Sequence, residues 1–165
     1  MTPESAKVLV GFLSESLRRE QAVTLKVLQA VPEQHLDYKP NEKSTAALDL
    51  AWHLAASEVA IVHGAATGEF KFAPKPESVK TAAAVVAWYQ EHSGAAQKAA
   101  ASMTVEQATK VLDPFGGMPL PAVAFVNMAI NHAIHHRGQL STYLRPMGGK
   151  VPSIYGGSAD EPMKR

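Results

Sequence analysis

The sequence predicts an all-α protein, a four-helix bundle. Three observations carry that expectation. Alanine, the strongest helix former, occurs 27 times in 165 residues and clusters in stretches free of proline. Four such stretches carry apolar residues at helical spacing. Proline and glycine collect between them, and no run alternates like a strand. Helices of roughly 22–28 residues would be about 33–42 Å long, a fitting length for a bundle.

The first helix is expected from about Pro3 to Val31. Thr2 can cap it and Pro3 suits its first position. Leu9, Phe12, Leu13, Leu17, Thr24, Val27, Leu28 and Val31 form its stripe, which Glu20 interrupts. Pro32 stops it. PEQHLDYKPNEKS reads as an irregular connection. The second helix is expected from about Ser44 to Ala66, with Gly64 and Gly68 weakening its end. GEFKFAPKPES is a loop.

The third helix is expected to start near Ser78 as N-cap and to end near Met103. A short turn or helix can follow over Thr104–Leu112, before the break DPFGGMPLP. The fourth helix is expected from about Leu120 to Leu144, with Phe125, Met128, Ala129, His132, His136, Leu140 and Tyr143 on one stripe. Arg145–Pro146 ends it, because a residue before proline avoids the helical region. The tail from about residue 146 is rich in Gly and Pro and reads as non-helical. The expected organisation is one domain over 1–165. The two long connections permit crossovers, so topology stays open on spacing alone.

Composition narrows the chemistry. The chain has no cysteine, so it offers no disulfide, thiolate zinc site or catalytic thiol of its own. Lys+Arg is 16 and Asp+Glu is 15, a formal charge of +1 that argues against a dedicated nucleic-acid partner. Apolar residues make up 46% and charged residues 19%, a globular balance. Glu4, Glu15 and Glu20 interrupt the first segment, so it does not read as a signal peptide. No window has the length of a membrane span. The expectation is a cytoplasmic protein with no membrane partner. Seven histidines are the residues left to do chemistry.

His132 and His136 are four residues apart on one helix face, with Cβ atoms about 6 Å apart, so two imidazoles can reach one ion. They interrupt an apolar stripe, where unpartnered polar groups cost roughly 1–3 kcal/mol each. His53, in LDLAWHLAASE, is the candidate third ligand. Its face carries Asp49, Ala56, Ser57 and Ala60, small or polar neighbours that leave room. On spacing alone a ligand and a hydrogen-bonded core histidine remain equal readings. His135 points about 100° away from His136 and reads as a surface or supporting residue. His35, His63 and His92 read as solvated. Three imidazoles with an open fourth position describe a catalytic metal site. Zn2+ is the default divalent ion, and Ni2+, Fe2+ or Mn2+ also suit imidazole.

The run NHAIHHRGQLSTYLR, Asn131 to Arg145, resembles the signature of the DinB/YfiT-like metalloenzyme superfamily. His132 and His136 stand at its two histidines, followed by Arg137, Gly138 and Gln139. LAWHLAASE resembles the family's second-helix motif, which places the first ligand at His53. LDYKPNEKS and VPSIYGGSADE extend the resemblance almost end to end, although Gly156 and Gly157 stand where Gly-Pro is expected. The resemblance implies an up-down-down-up four-helix bundle, frequently a homodimer. It also implies one divalent metal ion and a small-molecule substrate, in characterised relatives a low-molecular-weight thiol.

Other residues carry smaller expectations. Arg137 and Glu58 can pair across helices, most simply as a structural contact. Asp49 can orient His53. Gln139 can bond a substrate or a loop. Tyr143 reads as core with a bonded hydroxyl, and Glu20 as exposed at a helix end. Trp52 and Trp88 read as packing or dimer contacts. Gly138 suggests a close approach by another element. Three functions compete. The first is a metal-dependent enzyme, a thiol S-transferase or hydrolase-like. The second is a non-catalytic metal-binding stress-response protein. The third is a bare helical interaction module, which leaves the histidine alignment unexplained.

Overall fold

The computed structural model describes residues 1–163. Lys164 and Arg165, the end of the expected tail, lie outside the described residues. The elements in chain order are α1 (Pro3–Gln29), α2 (Ala47–Thr67), α3 (Ala82–Ala101), α4 (Val105–Thr109), β1 (Val111–Leu112), β2 (Leu120–Pro121) and α5 (Ala122–Leu144). The protein is all-α apart from the antiparallel β1–β2 pair, which the sequence reading did not foresee. Two-residue strands are too short to show alternation.

Each long helix begins where local chemistry provides for its free N–H groups. Thr2 accepts from Ser5 N at the start of α1, with Pro3 in the first turn. α2 starts three residues later than expected and has no side-chain cap. Tyr38 O and Leu36 O take the N–H groups of Ala47 and Leu48 instead, each at 3.0 Å. The start of α3 is Thr81, not Ser78. Val79 is buried and bonded back to Pro76 O, which keeps Ser78 in a turn. Thr81 Oγ1 accepts from Ala84 N at 3.0 Å, and the Glu33 carboxylate takes Ala82 N and Ala83 N at 3.1 and 2.8 Å. Thr104 and Gln107 form a reciprocal capping box on α4. Gly68 ends α2 with φ +85°, a left-handed C-cap. Gly64 has no Cβ because the Phe70 ring occupies that position.

Two apolar clusters fix the helix directions. One joins the start of α1 (Ala6–Leu17) and the start of α5 to the ends of α2 and α3. The other joins Val27–Val31 and the end of α5 to the starts of α2 and α3. So α2 and α3 run opposite to α1, and α5 runs with it, an up-down-down-up order. α1 and α2 each pack on both α3 and α5. Leu9 and Phe12, expected in the α1 stripe, are exposed; the buried face is Ala6, Val10, Leu13 and Leu17. The apolar band on α1 is wider than the contact it makes. Arg145–Pro146 ends α5 as expected, and the tail returns across α1. Lys26 Nζ binds Ser153 Oγ at 2.9 Å and Glu161 at 2.8 Å. No helix among the described residues is long and apolar enough to cross a membrane.

Candidate metal centre

α2 and α5 lie side by side, and the structure brings His53, His132 and His136 together. One ligand-capable atom from each ring lies within 4.8 Å of the other two. Ring centroids are 5.0 Å apart for His53–His132, 4.5 Å for His53–His136 and 4.4 Å for His132–His136. The Nε2 atoms of His53 and His136 stand 3.2 Å apart. Two nitrogens on one tetrahedral zinc, bonded at ~2.0–2.1 Å, would stand about 3.3 Å apart.

The hydrogen bonds around the rings prepare lone pairs. His136 Nδ1 is 3.1 Å from Gln139 Oε1, an acceptor that favours the tautomer with the proton on Nδ1 and a lone pair on Nε2. Gln139 Nε2 donates onward to the Tyr143 hydroxyl at 3.5 Å. His53 Nδ1 is 3.2 Å from Ser57 Oγ, and that hydroxyl can accept from Nδ1–H and leave Nε2 free. His132 Nδ1 is buried without a hydrogen-bond partner.

Burial lowers the basicity of all three rings. It pushes His132 down to about 4, aided by the neighbouring imidazoles His136, His53 and His135. His53 is lowered by burial. His136 is lowered by burial, against the opposing Gln139 bond. Neutral imidazoles are the ligating form. The donor set therefore fits a divalent cation: three converging neutral nitrogens, two with their remote nitrogen bonded, and an orphaned buried polar atom beside them.

Several supporting contacts differ from the sequence expectations. Asp49 does not orient His53; it faces Lys75 at 3.5 Å, and Ser57, one turn along α2, takes that place. Arg137 and Glu58 do not pair with each other. Arg137 Nη2 binds Glu20 Oε2 and the Tyr155 hydroxyl, each at 2.6 Å. Its Nη1 donates to Glu20 O at 3.1 Å and to Thr24 Oγ1 at 3.4 Å. Glu20 is thus a partner of a buried cation rather than an exposed helix-end residue. Glu58 is fully buried and accepts from the Tyr89 hydroxyl at 2.7 Å. Its Oε2 has no partner, and Gln21 nearby spends its amide on Ser93 O at 3.3 Å. Burial pushes the Glu58 carboxyl up to about 7, with Tyr89, Gln21 and Arg137 opposing and Glu20 reinforcing. Tyr143 is core, as expected. His135 and His35 are exposed, as expected. Nothing stands within 4 Å of where a Cβ on Gly138 would sit, so the expected close approach is absent.

A cleft of about 520 Å³ lies between α2, α3 and the loop joining them, with His53 in its wall. His63 and His92 also line it, so they are not the freely solvated side chains the sequence suggested. The sequence offered room beside His53 and a bonding role for Gln139, but not that Ser57 and Gln139 bond the His53 and His136 rings or that the α2–α3 loop walls the cleft. The signal for Gln139 was present, since a residue three positions after His136 shares its helix face.

The chain resembles known proteins over most of its length. YjoA, an uncharacterized protein of Bacillus subtilis, is 29% identical over 149 residues, covering 88% of this chain and 92% of that one. A DinB-like protein of Bacillus cereus has a solved structure that superposes with a TM-score of 0.72 at 28% identity, over 87% of this chain and 95% of that one. A mutant of the mycothiol-dependent maleylpyruvate isomerase shares the fold at a TM-score of 0.52 and 13% identity, over 92% of this chain and 62% of that one. The DinB family model matches residues 5–164, and the chain belongs to the DinB family.

Proposed function

We propose that the protein is a metal-dependent enzyme, a thiol S-transferase or hydrolase-like, with His53, His132 and His136 as ligands of one divalent ion, Zn2+ by default. The observation that carries the reading is the meeting of three neutral imidazoles, one of which, His53, also lines a cleft large enough for a small molecule. A purely structural histidine cluster would not need that opening.

A bound divalent ion would supply Lewis acidity and lower the pKa of a thiol or water beside it. The chain's own residues do the positioning. Gln139 holds the His136 ring by its Nδ1–H, and Ser57 does the same for His53. The chain has no cysteine, so in thiol chemistry the sulfur must arrive on a small-molecule substrate. The fold shared with a mycothiol-dependent isomerase supports a low-molecular-weight thiol as that substrate. Assembly as a homodimer in the cytoplasm belongs to the same proposal, and exposed Val8 and Phe12 on α1 suit a contact with a second copy.

The test is a screen of low-molecular-weight thiols and activated esters against the native protein, before and after chelation. Turnover lost on chelation and restored by one added metal supports an enzyme. A protein that holds its metal tightly but turns over none of these would support a non-catalytic binder instead.

A further inference from the structure

We infer that the cleft beside His53 binds a flat apolar ligand bearing one anionic group, and that its aromatic wall and two lysines, not the metal, supply the binding. The inference rests on the metal-centre reading only for what the ligand's reactive end would meet.

The cleft has an aromatic wall on which a flat body can lie. The rings of Trp52 and Trp88 lie 4.7 Å apart, and Trp88 stacks on His92 at 4.3 Å with 15° between planes. His92 Nδ1–H donates to Trp88 O at 2.7 Å, which holds that stack. Phe72, from the α2–α3 loop, contributes a ring that is 51% exposed. Between these, α2 offers Ala56 and Ala60, one turn apart, and their small side chains leave the volume open. Trp52 is buried and Phe72 also packs on Phe70 and Phe115, so the rings form a pre-ordered apolar wall, the usual setting for an apolar ligand in a concave site.

Charge sets the other half of the ligand. No carboxylate lines the cleft among the described residues, while Lys71 and Lys75 do. Their acidic partners, Glu69 at 2.7 Å and Asp49 at 3.5 Å, are not part of the lining. Lys71 and Glu69 are both exposed, so that pair is weak and open to competition. Lys75 is steadied at the rim by donating to Val79 O at 3.1 Å. Two ammonium groups that already have partners suit one added negative charge rather than several.

The chain's two tryptophans both line this cleft, so tryptophan emission, excited selectively over the four tyrosines, reports on the cleft. The experiment titrates metal-free and zinc-loaded protein with 4-nitrobenzoate and with its neutral counterpart 4-nitrobenzyl alcohol. The expected result is saturable quenching by the acid in both forms, at least about tenfold tighter than by the alcohol. Ala56→Phe should abolish it by filling the slot. Phe72→Ala, at an exposed position that leaves the fold intact, should weaken it about tenfold. Equal affinity for acid and alcohol, or quenching unchanged in both variants, would overturn the inference. So would binding confined to zinc-loaded protein, because the metal would then be the anion's partner. Binding in protein that takes up no zinc would sink the metal reading and leave the cleft standing. Zinc uptake without quenching would do the reverse.

Discussion

Two polar groups sit in the middle of this bundle, on the same two helices, and they behave oppositely. His53 on α2 and His132 and His136 on α5 gather with lone pairs and an orphaned nitrogen, and His53 also lines the cleft. Glu58 on α2 and Arg137 on α5 are turned inward and almost fully buried. Arg137 follows His136 directly, yet a 100° turn of the helix sends one side chain to the histidine cluster and the other to the core. The inner group satisfies most of its bonds within the chain, through Glu20, Thr24, Tyr155 and Tyr89. The outer group leaves its bonding capacity for something else. Placement of adjacent residues separates a cluster bonded within the fold from one whose nitrogens converge on a common point.

The sharpest way to break that contrast is Arg137→Ala. It strands Glu20 beside a buried void, and such losses cost about 3–5 kcal/mol. Urea unfolding should show a drop of that size, while His132→Ala should change the metal-free unfolding free energy by less than about 1 kcal/mol. Comparable losses from the two would erase the distinction.

Glu58 gives a pH signature. Its folded pKa, about 7, lies above the ordinary 4.5, so the folded state holds the proton more tightly than the unfolded one. This group's contribution is therefore full below about pH 4.5, declines as pH rises towards 7, and is flat above it; the total is about 3 kcal/mol. Glu58→Gln keeps an acceptor for Tyr89 and removes the charge. Stability measured by denaturant from pH 5 to 8 should lose that decline in the variant, and an unchanged slope would place the titrating group elsewhere.

On the outer group, Gln139→Leu should weaken metal affinity by about 10–100-fold without unfolding the protein, because it releases the His136 ring. Competition against a fluorescent zinc chelator reads this directly. The smallest effect expected is Tyr155→Phe. It removes one hydroxyl from the Arg137–Glu20 pair and should cost about 1 kcal/mol in the same urea assay, with metal affinity unchanged.

The sequence carried the outer group more clearly than the inner one. His132 and His136 are i, i+4 on a single helix, a pattern visible without any tertiary information. The helices themselves were legible for the same reason, since alanine content and apolar spacing are local. The partners of Glu58, Arg137 and Glu20 depend on which helices become neighbours. The tail residue Tyr155 reaches Glu20 across 135 positions, and no local pattern encodes that. Asp49 and Ser57 both lie one turn from His53, and the loop lysine Lys75 decides between them by taking Asp49. The room beside Ala56, Ser57 and Ala60 was legible, but the cleft's other wall was not, because it needs the α2–α3 loop folded back along α2.

Metal stoichiometry tests the central claim most directly. Elemental analysis of purified protein loaded with excess Zn2+ and then desalted should give one ion per chain. The same protein with His53, His132 and His136 all changed to Ala should give none, with its helical content retained. One tightly held ion per chain in that triple variant would contradict the assignment of the three imidazoles as the metal centre.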